Sequence, residues 1–218
     1  MRRDEEDVIE ASYVGSDVPA TDLDDAAWNR ARAVRLTHYW SGDAAPPGRH
    51  AEACVLWSDV ALAVRFICRQ MEPLIINPAP RTNEKTVGLW ERDDCEIYVA
   101  PDAGTPEKYF EFEAAPTGEW LDLAIHRTPR ERETDWQYRS GMTVASRIAE
   151  EHVIVAMRVP WPAFNAAAPL RKETFWRVNL FRCVGAGRDR GYLAWRPTYT
   201  AQPDFHVPES FGLLRFSR

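Results

Sequence analysis

The 218-residue sequence contains no apolar run approaching the roughly 18 residues a membrane-spanning helix needs, so a membrane is not expected among its partners. Its start, Met1 to Glu10, carries Arg2, Arg3, Asp4, Glu5, Glu6 and Asp7 and lacks the apolar segment of a secretory signal, which predicts a cytoplasmic location by default. No Lys/Arg cluster is long enough for a phosphate-binding stripe, and 27 basic residues stand against 33 acidic ones, a net charge of -6, so nucleic acid is not an expected partner. The five histidines form no H-x-x-H or H-E-x-x-H and the four cysteines no C-x-x-C, which argues against a transition-metal site. There is no G-x-S-x-G, His206 and Ser210 share a short loop, and no helix or GK[ST] follows Gly185-Ala186-Gly187, so neither a serine hydrolase nor a phosphate loop is indicated.

What is present is a foldable chain, 45% hydrophobic and 11% aromatic, enough for one full core. Residues 1–19 are acidic and aperiodic and read as a mobile tail or a strand laid on late; residues 20–218 read as one domain. Thr21 or Asp22 is expected to cap a short helix whose Leu23, Ala26, Ala27 and Ala31 make an apolar side, with Trp28 in the core. Ala51–Trp57 and Val60–Arg69 alternate about Ser58-Asp59, a hairpin in which a two-residue turn would set Cys54 opposite Ala63. Cys54, Cys68, Cys95 and Cys183 each lie in an apolar or alternating run and read as buried reduced thiols. Residues 71–87, punctuated by Pro73, Pro78 and Pro80, form a long connection, a kind of loop that tends to be functional. Alternation continues through Lys108–Ala115 and Trp120–Arg127, a meander with one apolar face; Arg127 to Ser140 reads as charged loop; a further hairpin turns at Ala149-Glu150-Glu151. Nine to eleven short strands with little helix predict an all-β, antiparallel β-sandwich with one or two short helices.

The stretch Leu89–Val99 sets Trp90 beside consecutive charges and then a strand in which Cys95, Ile97 and Val99 take one face and Asp94, Glu96 and Tyr98 the other. An aromatic beside carboxylates suits a flat, hydroxyl-rich ligand, because the C–H face of a sugar lies on a ring while its hydroxyls need acceptors. An enzyme reading would draw a carboxylate pair for glycoside hydrolysis from Glu96, Glu111, Glu113 and Asp122. A third reading is a partner-binding sandwich without a sugar slot.

Three passages, LWERDDCEIYVAP (89–101), YFEFEAAPTGEWLD (109–122) and AWRPTYT leading to PDFHVPESFGLLRF (194–216), with WRVNLFRC (176–183) between them, resemble in order the carbohydrate-binding module family 9 and its single-domain relatives. The likeness runs from about residue 20 to the C-terminus. It implies a sandwich of immunoglobulin-like or DOMON-like topology that binds a mono- or oligosaccharide without catalysis, often with structural calcium. By that resemblance Trp90 is one wall of the slot, Phe205 the other, and Glu96 a hydroxyl-binding carboxylate. The sequence also departs from the pattern. Glu113 stands where the glucan-binding members bring an arginine, and Asn179-Leu180-Phe181-Arg182 where they bring a glutamine. Either Arg182, with Asn179, supplies the missing polar anchor, or the slot is not tuned to the usual glucan. Asp93 and Asp94, with Asp22, Asp24 and Asp25, are the candidate calcium ligands, although Ala100 replaces an acidic residue and no D-x-D-x-D-G loop is present.

Overall fold

Alternating patterns need a partner layer to cover their apolar faces, and the computed structural model, which describes residues 7–165 and 175–218, shows how that is met. The described residues form fourteen strands: β1 (Val8–Tyr13), β2 (Val34–Leu36), β3 (His38–Tyr39), β4 (Ala51–Trp57), β5 (Ala61–Arg69), β6 (Asp94–Ala100), β7 (Lys108–Ala114), β8 (Trp120–Arg127), β9 (Arg132–Asp135), β10 (Thr143–Ile148), β11 (His152–Pro160), β12 (Phe175–Val184), β13 (Gly191–Ala194) and β14 (Gly212–Ser217). They run in the order β10-β11-β5-β4-β1-β14-β12-β6-β7-β8-β9, with β2 on β4, β13 on β12 and β3 on β13. The sheet closes over itself as a sandwich. Val64, Phe66, Val155 and Met157 of one half share a core with Ile97, Val99, Phe112 and Leu180 of the other. Each such side chain contributes about 1.5–3 kcal/mol by leaving water.

The pairing is antiparallel except at β1, which lies parallel to both β14 and β4. Of the two readings of residues 1–19, the strand therefore holds for Val8–Tyr13, and the boundary at residue 19 is not an edge of the sheet; residues 1–6 lie outside the described residues. The expected helix after Thr21 is a single 3-10 turn, Ala26–Arg30, capped by Asp25, whose carboxylate accepts from Ala27 N at 2.7 Å. Trp28 is buried as expected. Every helical element among the described residues is such a short turn, and none is long and apolar enough to cross a membrane.

The first hairpin differs from expectation by its turn. Ser58 N donates to Ala61 O, and Trp57 pairs with Leu62, so the turn centres on Asp59-Val60, one residue later than Ser58-Asp59, and Cys54 faces Arg65. All four cysteines are buried and free, and the Sγ atoms of Cys68 and Cys95 meet 3.4 Å apart between the layers.

Candidate binding site

Register decides the site. Glu96 of β6 lies opposite Glu113 of β7 on one side and Phe181 of β12 on the other, while Tyr98 lies opposite Glu111 and Asn179. On the next strand Leu121 and Leu123 face Glu113 and Glu111, whereas Phe110 and Phe112 face Ala124 and Asp122. The meander thus does not have the single apolar face expected of it. Its Phe face enters the sandwich core, and its Leu face, which carries the carboxylates, joins a second apolar cluster with Tyr98, Tyr109, Phe181, Phe205 and Phe211. Phe205 comes from the Pro-punctuated segment after β13, which covers the face that alternation alone assigns to solvent.

The consequence is electrostatic. Asp94, Glu96, Glu111 and Glu113 are all buried, and burial among apolar groups raises the pKa of each, to about 7 for Asp94. Glu96 is raised further by Asp94 and Glu111, and Glu113 by the neighbouring carboxyls. Few bonds offset this: Cys183 N donates to Asp94 Oδ1 at 3.3 Å and Cys183 Sγ to Glu96 Oε1 at 3.5 Å. One oxygen each of Asp94, Glu96 and Glu111, and both oxygens of Glu113, have no hydrogen-bond partner. Near Glu111, His206 Nδ1 is 4.0 Å from the carboxylate and hydrogen-bonded to Tyr109 Oη at 2.8 Å; burial lowers its pKa to about 3, so it stays neutral.

Above these carboxyls lies a cavity of about 390 Å³, lined by Glu96, Glu111 and Glu113 at its floor and by the indoles of Trp90 and Trp136 at its opening. Trp90 sits on a one-turn 3-10 segment, Leu89–Glu91, entered through Gly88 at φ 81°, a left-handed conformation that costs glycine little. Leu89 is the buried anchor of this turn, and Arg190 grips it from behind by donating to the carbonyls of Trp90 and Arg92. The long connection before it is pinned to β8. Lys85 Nζ lies 2.6 Å from Asp122 Oδ1 in a buried ion pair, Trp120 Nε1 donates to Thr82 O, and Asn77 Nδ2 donates to Glu119 Oε1. Trp90 keeps 38% of its surface exposed and Trp136 43%.

Of the residues singled out in the sequence, Trp90, Glu96, Glu113 and Phe205 converge on the cavity, and Asn179 and Arg182 do not. Arg182 corrects the expectation most plainly. It pairs with Cys95, on the opposite face from Glu96, and its guanidinium donates to Arg49 O (2.6 Å), Arg69 O (2.8 Å) and Gln70 Oε1 (2.5 Å), tying β12 to the other layer. Asn179 faces the correct way but spends its amide on its own chain: Oδ1 accepts from Leu180 N and Arg196 N, and Nδ2 donates to Arg196 O. Phe205 lines the cavity with one face taken by Phe181, at a centroid distance of 4.0 Å and 12° between planes, and only 8% of it is exposed.

Three of the candidate calcium ligands, Asp93, Asp24 and Asp25, are engaged within the protein, while Asp22 is exposed. Asp93 accepts from Gly185 N, Gln70 Nε2 and Ile75 N, Asp24 is paired with Arg147, and Asp25 caps its turn. Asp94 converges instead with Glu96 and Cys183. A thiol and protonatable, apolar-bound carboxyls are a poor match for a hard cation that takes six to eight oxygens. Sequence reasoning missed Trp136, which lies inside what reads as charged loop and in fact follows β9, and it named Glu111 only among four carboxylates for hydrolysis, without the register that brings it to the cavity.

A family model described as "carbohydrate family 9 binding domain-like" matches residues 21–217. No curated protein matches the chain significantly. Among solved structures, a candidate carbohydrate-binding protein from Bacteroides uniformis is 17% identical, with a TM-score of 0.76, covering 96% of this chain and 99% of that one. A carbohydrate binding module family 9 from Caldicellulosiruptor kristjanssonii, solved with glucose, is 14% identical with a TM-score of 0.66, over 96% of this chain and 95% of that one. The same module solved with cellotriose gives 14% and 0.66, over 96% and 93%.

Proposed function

Because this chain belongs to the carbohydrate family 9 binding domain-like family, we propose that it is a non-catalytic saccharide-binding domain whose ligand enters the cavity between Trp90, Trp136 and Phe205. The single observation that carries this reading is an open cavity of about 390 Å³ with half-exposed indoles at its mouth and hydrogen-bonding carboxyls at its floor. A ring of pyranose size needs apolar faces and convergent polar groups, and that is what lines the space. The structural neighbours bound to glucose and cellotriose support a sugar as the ligand class. Trp90 is not packed under neighbouring side chains, as a partner-binding sandwich without a slot would have it.

The carboxyls support a binding role over hydrolysis. Glycoside hydrolysis needs one carboxyl protonated and a second ionised, set apart by different surroundings. Here Glu96, Glu111 and Glu113 are all pushed in the same direction by the same cause, and Asp122 sits on the other face with Lys85.

Titration of tryptophan fluorescence with a panel of mono- and disaccharides tests this. Expected affinities are micromolar to millimolar, about -8 to -4 kcal/mol. Trp90→Ala and Trp136→Ala should each weaken binding by about 1 kcal/mol or somewhat more without altering the fold, since both side chains are half exposed. Absence of any response up to high millimolar sugar would sink the reading.

A further inference from the structure

Glu113 is fully buried, lines the cavity, and neither of its oxygens accepts from an N–H or hydroxyl of the protein, so that only a carboxyl proton shared with Glu111 links it to a neighbour; Glu96 and Glu111 each present one further oxygen without such a donor beside it. One oxygen from each of these three groups can be chosen so that all lie within 4.8 Å of one another. Leaving such groups unmatched costs free energy, so this arrangement calls for donors, and preferably a positive charge, from outside the chain.

The protein itself does not provide that charge among the described residues. Arg182 is committed on the opposite face, Lys85 is paired with Asp122, and His206, the nearest ring, is held neutral by burial. Arg132 lines the cavity but is exposed, where solvent screens it. A sugar hydroxyl brings one donor and no charge, whereas an ammonium brings three donors and a full charge to a set of acceptors of this size. A bare divalent ion suits the site less well, because the adjacent group is the Cys183 thiol and because the volume and the two indoles demand an organic body.

We propose that the ligand is an amine-bearing saccharide, its ammonium seated against Glu96, Glu111 and Glu113 and its ring against Trp90 and Trp136. The proposal rests on the saccharide-binding reading and adds the ligand's charge to it. The aromatic rim contributes twice, since indole faces attract both the sugar's C–H face and a nearby cation.

Calorimetric titration of the full chain tests it, with glucosamine, galactosamine, mannosamine and chitosan oligosaccharides set against glucose, N-acetylglucosamine and cellobiose, and with calcium chloride alone. At least one amine-bearing sugar should bind about tenfold or more tighter than its neutral counterpart, the size expected of charge-assisted hydrogen bonds. Glu113→Gln, equal in shape and checked for folding by circular dichroism, should erase most of that preference; the quantity read is the ratio of amine-bearing to neutral affinity, and a loss shared equally by both kinds of sugar, with the ratio unchanged, overturns the proposal. Equal or weaker binding of every amine-bearing sugar overturns the proposal but leaves the saccharide reading standing, provided that a neutral sugar binds. No binding by any sugar overturns both. Calcium binding in the wild type that is lost in Glu113→Gln overturns the proposal in favour of a metal site.

Discussion

Asp94→Asn should make this protein more stable above about pH 4, with the gain growing as pH rises and complete only above neutral pH. Asp94 is buried at the end of the carboxyl row, with one oxygen accepting from Cys183 N at 3.3 Å and the other unpartnered. Burial raises its pKa from 3.8 to about 7, against smaller opposing effects from Cys183 and Arg190. A carboxyl with a raised folded pKa binds its proton more tightly when folded than when unfolded. Its neutral form is therefore fully compatible with the fold below pH 4, and stability is lost as pH rises from there to about 7. One pKa unit is about 1.4 kcal/mol, so the difference between 3.8 and about 7 corresponds to a loss on the order of 4 kcal/mol, complete by pH 8. Asparagine keeps the acceptor for Cys183 N and cannot ionise. Urea denaturation at pH 4 and pH 8 should show the two proteins nearly equal at pH 4 and the variant more stable at pH 8. In thermal melts the gain should be roughly 10 °C for a chain of this size. A variant equally stable or less stable than wild type at pH 8 would refute the reasoning, because it would mean that the ionised Asp94 has a compensating partner.

Arg182→Met removes a guanidinium that satisfies Arg49 O, Arg69 O and Gln70 Oε1 between the layers, and should destabilise by about 3 kcal/mol or more through orphaned acceptors, measured by urea denaturation. Because Arg182 faces away from the cavity, whatever protein remains folded should bind sugar with unchanged affinity, a result opposite to that expected of a ligand anchor. Lys85→Met leaves Asp122 charged beneath the long connection with no counter-charge, only the bond from Ser140 N; a loss of about 3–5 kcal/mol is expected by denaturation, with partial recovery in the Lys85→Met, Asp122→Leu double variant, which frees Ser140 N.

Much of this protein was legible in its chain because periodicity is local. Alternation in 89–99, 108–115 and 152–160 places strands and their two faces, and the order of motifs about Trp90 identifies the sandwich and its sugar-binding family. Glu96 was within reach for the same reason, since its face follows from counting by two along one strand, and Trp90 was within reach as the aromatic at that strand's mouth. The position of the turn lay just beyond that reach: closing it about Asp59-Val60, one residue later, moved Cys54 from Ala63 to Arg65.

What only the tertiary structure decided was which face meets which neighbour. The strand face bearing Glu111 and Glu113 reads as exposed, and it is buried because a segment nearly a hundred residues later brings Phe205 and Phe211 over it. Arg182 reads as a plausible counter-charge to Glu113, and it points into the opposite layer because it is in register with Cys95. Trp136 reads as loop, and it reaches the cavity because β9 pairs beyond β8 at the end of the sheet. Composition can supply carboxyls and indoles, but their protonation and their aim depend on long-range register and on what covers them. The sequence determined a sandwich with a carboxylate on one strand and a Trp just ahead of it; the fold turned that strand face into a buried acid floor beneath an aromatic rim, where desolvation governs the chemistry.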